Sequence, residues 1–245
     1  MNIPATFDDD DEDLREQINQ LDRQEHLKTL DPATRAQVDE IMKHVQNLKY
    51  SELAKRVESL IVINEIIQSI GKYAEGIKHT ANDLINAFTH VLVDIFERPM
   101  SDFPLRFAKY FVTIVNKAAS CKEIMREVSE KEMYDLSEQL LTRLLIDNLD
   151  KVGENKEGEF ILKNLNASML RMLENCNHTY IFCVLFSLLR KYKDYKLQPK
   201  LPSLIIKCLL KLSKLLDKLV DRLIPEKVLI VIHEYLVAID HDNKT

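Results

Sequence analysis

SEKEMYDLSEQLLTRLL, residues 129–145, is the stretch that decides the fold. Ser129 with Glu132 three residues on has the form of a capping box, the reciprocal pairing that starts a helix. Behind it Leu136, Leu140, Leu144 and Leu145 recur at the three- and four-residue spacing of a single helix face. Working outward from Ser129, comparable starts fall at Asp31 followed by Pro32, at Thr80, at Thr179, and at Pro225 behind Ile224. The gaps between these five starts are 49, 49, 50 and 46 residues. Inside each period a second start follows, at Ser51, at Phe103 with Pro104, around Gly158, and at Pro202 with Ser203. Each period therefore holds two helices, and such recurrence marks helix pairs stacked into a solenoid.

The period is slightly longer than the ~40–47 residues of HEAT repeats, which long helices or long loops would explain. The expected fold is an all-α, HEAT-type helical-pair solenoid of about four and a half repeats. Stacked pairs share a core and leave two ridges of loops exposed, where such proteins bind partners. Core stripes read from the spacing include Val38, Ile41, Met42 and Val45, then Leu53, Val57, Leu60, Ile61, Ile67 and Ile70. Towards the C-terminus they include Ile205, Cys208, Leu212 and Leu216.

At 245 residues, 46% hydrophobic and 30% charged, the chain can bury a sizeable core as one domain. Its four glycines, Gly71, Gly76, Gly153 and Gly158, fall where helices are expected to begin or end, which leaves no glycine-rich phosphate cradle. Cys121, Cys176, Cys183 and Cys208 are too widely spaced for a zinc knuckle and read as small core residues in a reducing compartment. No apolar run approaches the ~18 residues of a membrane span. The start, MNIPATFDDDDEDL, has neither the basic nor the apolar region of a signal peptide, so a cytosolic or nuclear location is expected.

The seven histidines are scattered, and none pairs with another at the four-residue spacing of a helical metal site. There is no glycine-flanked serine elbow, phosphate loop or dinucleotide turn. A non-catalytic chain with no cofactor and no metal is expected.

Charge is unevenly placed. Residues 1–30 carry nine acidic and three basic side chains and read as an acidic, largely flexible lead-in, with Leu14, Ile18 and Leu21 spaced as a short helix. Residues 179–225 carry ten Lys or Arg and three Asp, a local balance of +7 in a chain whose total is −5. Lys207, Lys211, Lys214 and Lys218 follow a four, three, four spacing on one helix face, and the preceding loop adds Lys191, Lys193, Lys196 and Lys200 with Tyr192 and Tyr195 interleaved. Such a patch attracts acidic surfaces. Its alternative reading is a solvated lysine face that keeps a solenoid soluble.

Two segments carry a family resemblance: EFILKNLNASMLRMLENCNHTYIFCVLFSLLRKY, residues 159–192, and LPSLIIKCLLKLSKLLDKLVDRLIPEKVLIVIHEYL, residues 201–236. The ordered features are Leu165 and Asn166 ahead of Leu173, Glu174 and Thr179, then Lys207, Cys208 and Leu209, then Leu215 and Leu216, and last Ile232 and His233. In these the chain resembles the C-terminal, TOG-like HEAT domain of the TOG-domain microtubule polymerases, the ch-TOG, Minispindles and plant MOR group. The resemblance implies a TOG-like domain over residues 31–245, in a protein of spindle poles, centrosomes and microtubule ends. Tubulin-binding TOG domains use a tryptophan in the first intra-repeat loop. This chain contains no Trp and has Asn47, Leu48, Lys49 and Tyr50 there. That departure favours a family role in which the region docks an adaptor such as a TACC-type coiled coil, tubulin being engaged elsewhere in the full-length protein. No nucleic acid or membrane partner is then expected. The first alternative is a tubulin binder in which Tyr50 replaces the tryptophan beside Lys49, Arg98, Lys193 and Lys200. A further alternative is an unrelated HEAT scaffold whose basic face meets nucleic acid or acidic lipid.

Overall fold

The computed structural model describes residues 25, 27, 29–50, 52–99, 102–153, 156–193, 200–215 and 223–242. Among them every regular element is helical. In chain order these are α1 (Pro32–Tyr50), α2 (Leu53–Gln68), α3 (Ile70–Phe96), α4 (Leu105–Ser120), the short α5 (Lys122–Met125) and α6 (Glu130–Arg143). A 3-10 turn, Leu149–Lys151, leads to α7 (Glu157–Asn175), α8 (His178–Tyr192), α9 (Lys200–Ser213) and α10 (Pro225–Asp242). The expected acidic lead-in with Leu14, Ile18 and Leu21, and the expected start at Ser51, lie outside the described residues.

The helices form two layers. α1, α3, α6, α8 and α10 pack each against the next, while α2, α4, α7 and α9 form the second row. The pairs α1–α2, α6–α7 and α8–α9 pack directly across the layers. This is the stacked helix-pair arrangement read from the recurrence, with α5 as an insertion and α10, among the described residues, without a following partner. One continuous hydrophobic cluster runs from Ile41 to Leu212.

Local chemistry explains the starts. Asp31 Oδ1 accepts hydrogen bonds from the Ala33 and Thr34 N–H groups, at 3.0 Å each, and those from Thr34 hold its carboxyl below the usual range. Asn177 Oδ1 serves α8 in the same way, accepting from Thr179 and Tyr180. Pro225 takes the first helical position of α10, where its missing N–H costs nothing.

Two expected starts are corrected, and the one at Ser129 holds with different hydrogen bonding. Thr80 sits inside α3, which begins at Ile70 and runs 27 residues. The Thr-Ala-Asn-Asp sequence imitates a cap, but the apolar stripe Ile77, Leu84, Phe88 and Val91 runs unbroken past it. The buried Thr80 hydroxyl instead donates to the Gly76 carbonyl at 2.8 Å. Thr179 is the second residue of α8, and its Oγ1 accepts from the Ile224 N–H at 3.0 Å, which ties the entry of α10 to α8. Ser129 does precede α6, but its N–H goes to Asn82 Oδ1 at 2.8 Å and its hydroxyl to the Glu132 carboxylate. The Ser129 N–H thus binds the start of α6 to α3, while its hydroxyl and Glu132 pair within the first turn of α6.

Gly71 is the second residue of α3, at a helix start as expected, whereas Gly76 lies well inside α3 and not at a helix end. A Cβ at Gly76 would come 2.7 Å from Gln37 Cβ and 3.2 Å from Ile41 Cδ1, so this glycine sets how closely α1 and α3 approach. Leu53 and Ile61, expected in the core, are exposed. Cys176, Cys183 and Cys208 are buried, and burial pushes their thiols up, that of Cys208 to about 11. Such thiols are poor nucleophiles at neutral pH.

On α9 the buried stripe is Leu201, Ile205, Cys208 and Leu212. Leu212→Ala is expected to cost about 2–5 kcal/mol through the cavity it leaves. Lys211→Ala removes one partly exposed ion pair and is expected to cost under about 1 kcal/mol. Equal shifts of the two urea midpoints would contradict this assignment of the faces.

Candidate interaction faces

The ten C-terminal candidates do not form one uniform patch. Lys191, at the end of α8, donates to Glu138 Oε1 of α6 at 2.6 Å and lies over the rings of Tyr134 and Tyr192 at 5.8 and 5.3 Å. The Glu138 hydrogen bond holds its ammonium well above the usual lysine range. Tyr192 donates to the same Glu138 oxygen at 2.7 Å, and burial, reinforced by that carboxylate, pushes its phenol up to about 12. Lys193 Nζ donates to the Ala238 carbonyl at 2.8 Å, holding α10 on α8. Lys211 donates to Glu174 Oε1 of α7 at 3.0 Å. These four side chains join helices. Tyr195, Lys196 and Lys218 lie outside the described residues.

Lys200, Lys207 and Lys214 remain as exposed cations on and just beyond α9. They share this surface with two aliphatic residues that lie outside the core stripe read from the sequence. Ile206 and Leu210 fall outside the 201–205–208–212 stripe and point outward, 43% and 57% exposed. Their offset from that stripe is the signal that could have found them. The exposed face of α9 is thus basic and apolar together.

The second candidate surface is the ridge of intra-repeat turns. Tyr50, the last residue of α1, is 79% exposed, and its ring lies tilted to that of His90 at 6.3 Å. Arg98 is committed to Asp94, with Nη2 at 3.0 and 3.2 Å from the two carboxylate oxygens. Arg56 donates to Asp94 Oδ2 at 2.5 Å and to the Lys49 carbonyl at 3.2 Å. Among the described residues this end of the ridge offers the exposed Tyr50 ring near Arg56 and Arg98, which already have a carboxylate.

Burial raises the Asp94 pKa, but the two guanidinium groups outweigh it and the net shift is downward. A depressed carboxylate stabilises the fold above its unfolded pKa, and that contribution is lost as pH falls through its folded pKa. Asp94→Asn is expected to cost about 1–3 kcal/mol at neutral pH. The gap from the wild type should close as pH falls below the usual aspartate range. Urea titrations at a series of pH values check this, and a gap independent of pH would contradict it.

Among the described residues no group of three His, Cys, Asp or Glu side chains could hold a metal ion, and no helix is long and apolar enough to cross a membrane.

Comparison with known proteins gives distant relatives of much greater length. The chain is 29% identical over 169 residues to Protein MOR1 of Arabidopsis thaliana, a match covering 64% of this chain and 8% of that protein. It is 26% identical over 191 residues to Protein MOR1 of Oryza sativa subsp. japonica, covering 72% and 9%. It is 28% identical over 150 residues to Centrosomal protein 224 of Dictyostelium discoideum, covering 59% and 7%. The chain thus spans less than a tenth of each of these relatives. No family model matches it, and no solved structure matches it. The relationship to the MOR1 proteins supports the resemblance to the TOG-domain microtubule polymerase family carried by residues 159–192 and 201–236.

Proposed function

We propose, from its kinship with the MOR1 proteins, that this chain is a non-catalytic protein-interaction domain of a microtubule-associated protein. The domain docks a TACC-type coiled-coil adaptor on α9 and so targets the whole protein to spindle poles, centrosomes or microtubule ends. The observation that carries the adaptor site is the exposed set Lys200, Lys207 and Lys214 in a chain whose net charge is −5. An acidic coiled-coil flank would be steered to such a face, at a rate that falls with added salt.

Lys207→Glu with Lys214→Glu is expected to abolish spindle-pole recruitment and leave the fold intact, because both side chains are exposed. Lys211 is best left in place, since Glu at 211 would face Glu174. Reversal of Lys43 and Lys55, exposed at the far end of the solenoid, should change little. Loss of recruitment in the second variant and not the first would place the site at the N-terminal end.

Direct tubulin binding is the second reading, favoured by the exposed Tyr50 ring. Against it, Arg98 is engaged by Asp94, and one exposed phenol supplies little of the buried aromatic contact that dominates tight interfaces. Free tubulin dimer is expected to elute separately from this chain on size exclusion at micromolar concentration and physiological salt. Co-elution would promote the tubulin reading.

A further inference from the structure

The exposed face of α9 has an apolar centre as well as a charged rim. Ile206 and Leu210 are one helical turn apart and both are largely exposed. Lys207 and Lys214 flank them, two turns apart, so their positions are separated by about 10 Å along the helix axis. Ser203 and Ser213 border the apolar pair on either side. Lys211, the other nearby cation, turns away to Glu174.

We propose that Ile206 and Leu210 are the apolar anchor of a docking site on α9 whose occupant is an acidic amphipathic helix. This rests on the reading of α9 as the adaptor face and names what that face recognises. The occupant's apolar seam lies across Ile206 and Leu210. Carboxylates two turns apart on its flank meet Lys207 and Lys214, because two α-helices running side by side share the same axial rise. The pair of aliphatic side chains supplies the desolvated centre that holds such a complex, and the lysines form the polar rim that sets its encounter rate.

Two other occupants fit less well. A membrane surface calls for a broad apolar face carrying several large side chains, whereas this one holds two, between serines. A nucleic acid strand is read by stacking aromatics and by arginine, and the described exposed face of α9 has neither.

The test uses the full chain and, as probe, the fluorescently labelled coiled coil of a TACC-type protein, titrated by anisotropy at low and physiological salt. Ile206→Ser with Leu210→Ser is expected to weaken binding more than about 30-fold at both salt concentrations, as for loss of a central anchor. Lys207→Glu with Lys214→Glu should weaken it most at low salt and flatten the salt dependence. Leu210→Gln alone, a milder change at an exposed site, should give an intermediate loss with an unchanged thermal midpoint.

If the serine pair binds within about twofold of wild type while the lysine pair fails, the charged face stands as the adaptor site and the apolar anchor is overturned. If neither variant changes the affinity, or the wild type does not bind the coiled coil, both readings fall. Binding to vesicles of phosphatidylcholine and phosphatidylserine in place of the coiled coil would overturn the anchor's assignment to a helix.

Discussion

Gly158→Ala is expected to cost at least about 3 kcal/mol, a large part of the ~5–15 kcal/mol that holds a typical domain folded. The residue is the second of α7, and its N–H donates to the Val152 carbonyl at 3.0 Å. A Cβ there would lie 1.8 Å from the Leu149 carbonyl oxygen and 3.1 Å from that of Val152. Both obstacles are backbone, so no side-chain rotation relieves the overlap. The 3-10 turn would have to move away from α7, and Leu149, fully buried in that turn, would leave the core with it. Gly71 is the control. It is the second residue of α3 and has nothing within 4 Å of its built Cβ, so Gly71→Ala should stabilise by about 0.5–1 kcal/mol. Thermal or urea unfolding monitored by helical ellipticity reads both. Similar midpoints for the two variants would contradict the close approach at Gly158.

Phe111→Ala is expected to cost about 3–5 kcal/mol. Phe111 is on α4 and is fully buried between two other rings. Phe88 of α3 meets it edge-on, with centroids 5.7 Å apart, and Phe107 stacks on it at 6.1 Å. Truncation removes both ring contacts and leaves a void between the two layers, since α3 and α4 cannot both close on the gap. An exposed ring provides the comparison: Phe160 is 41% exposed, and Phe160→Ala should cost well under half as much. Equal losses would mean that the α3–α4 contact is not a principal part of the core.

The fold was legible in the sequence because its helices repeat their own punctuation. Asp31 and Pro225 mark starts by chemistry that acts within one turn, and a single chain shows that directly. Thr80 misled because a polar cluster inside a long helix, its hydroxyl satisfied by the carbonyl one turn back, has the same composition as a cap. Only the apolar stripe of α3, continuous through Ile77 and Leu84, separates the two. Gly76 misled for a related reason: its role depends on Gln37, 39 residues earlier, and no local rule contains that contact.

The candidate site was legible only in part. The charge asymmetry pointed to residues 179–225, and the spacing of Lys207 and Lys214 placed them on one helix face. Which lysines were still available depended on long-range partners. Glu138 takes Lys191, Glu174 takes Lys211, and the Ala238 carbonyl takes Lys193. Ile206 and Leu210 went unread because the stripe through Ile205, Cys208 and Leu212 marks only the buried side of that helix, and the aliphatic residues outside it were not weighed against the lysines.

Affinity capture from mitotic extract with the full chain as bait, read by mass spectrometry, tests the central claim most directly. The wild-type chain is expected to recover a TACC-type coiled-coil protein with little tubulin, and the Lys207→Glu, Lys214→Glu variant to lose that protein while retaining its helical fold. Recovery of tubulin as the main partner, equally by both baits, would contradict the account.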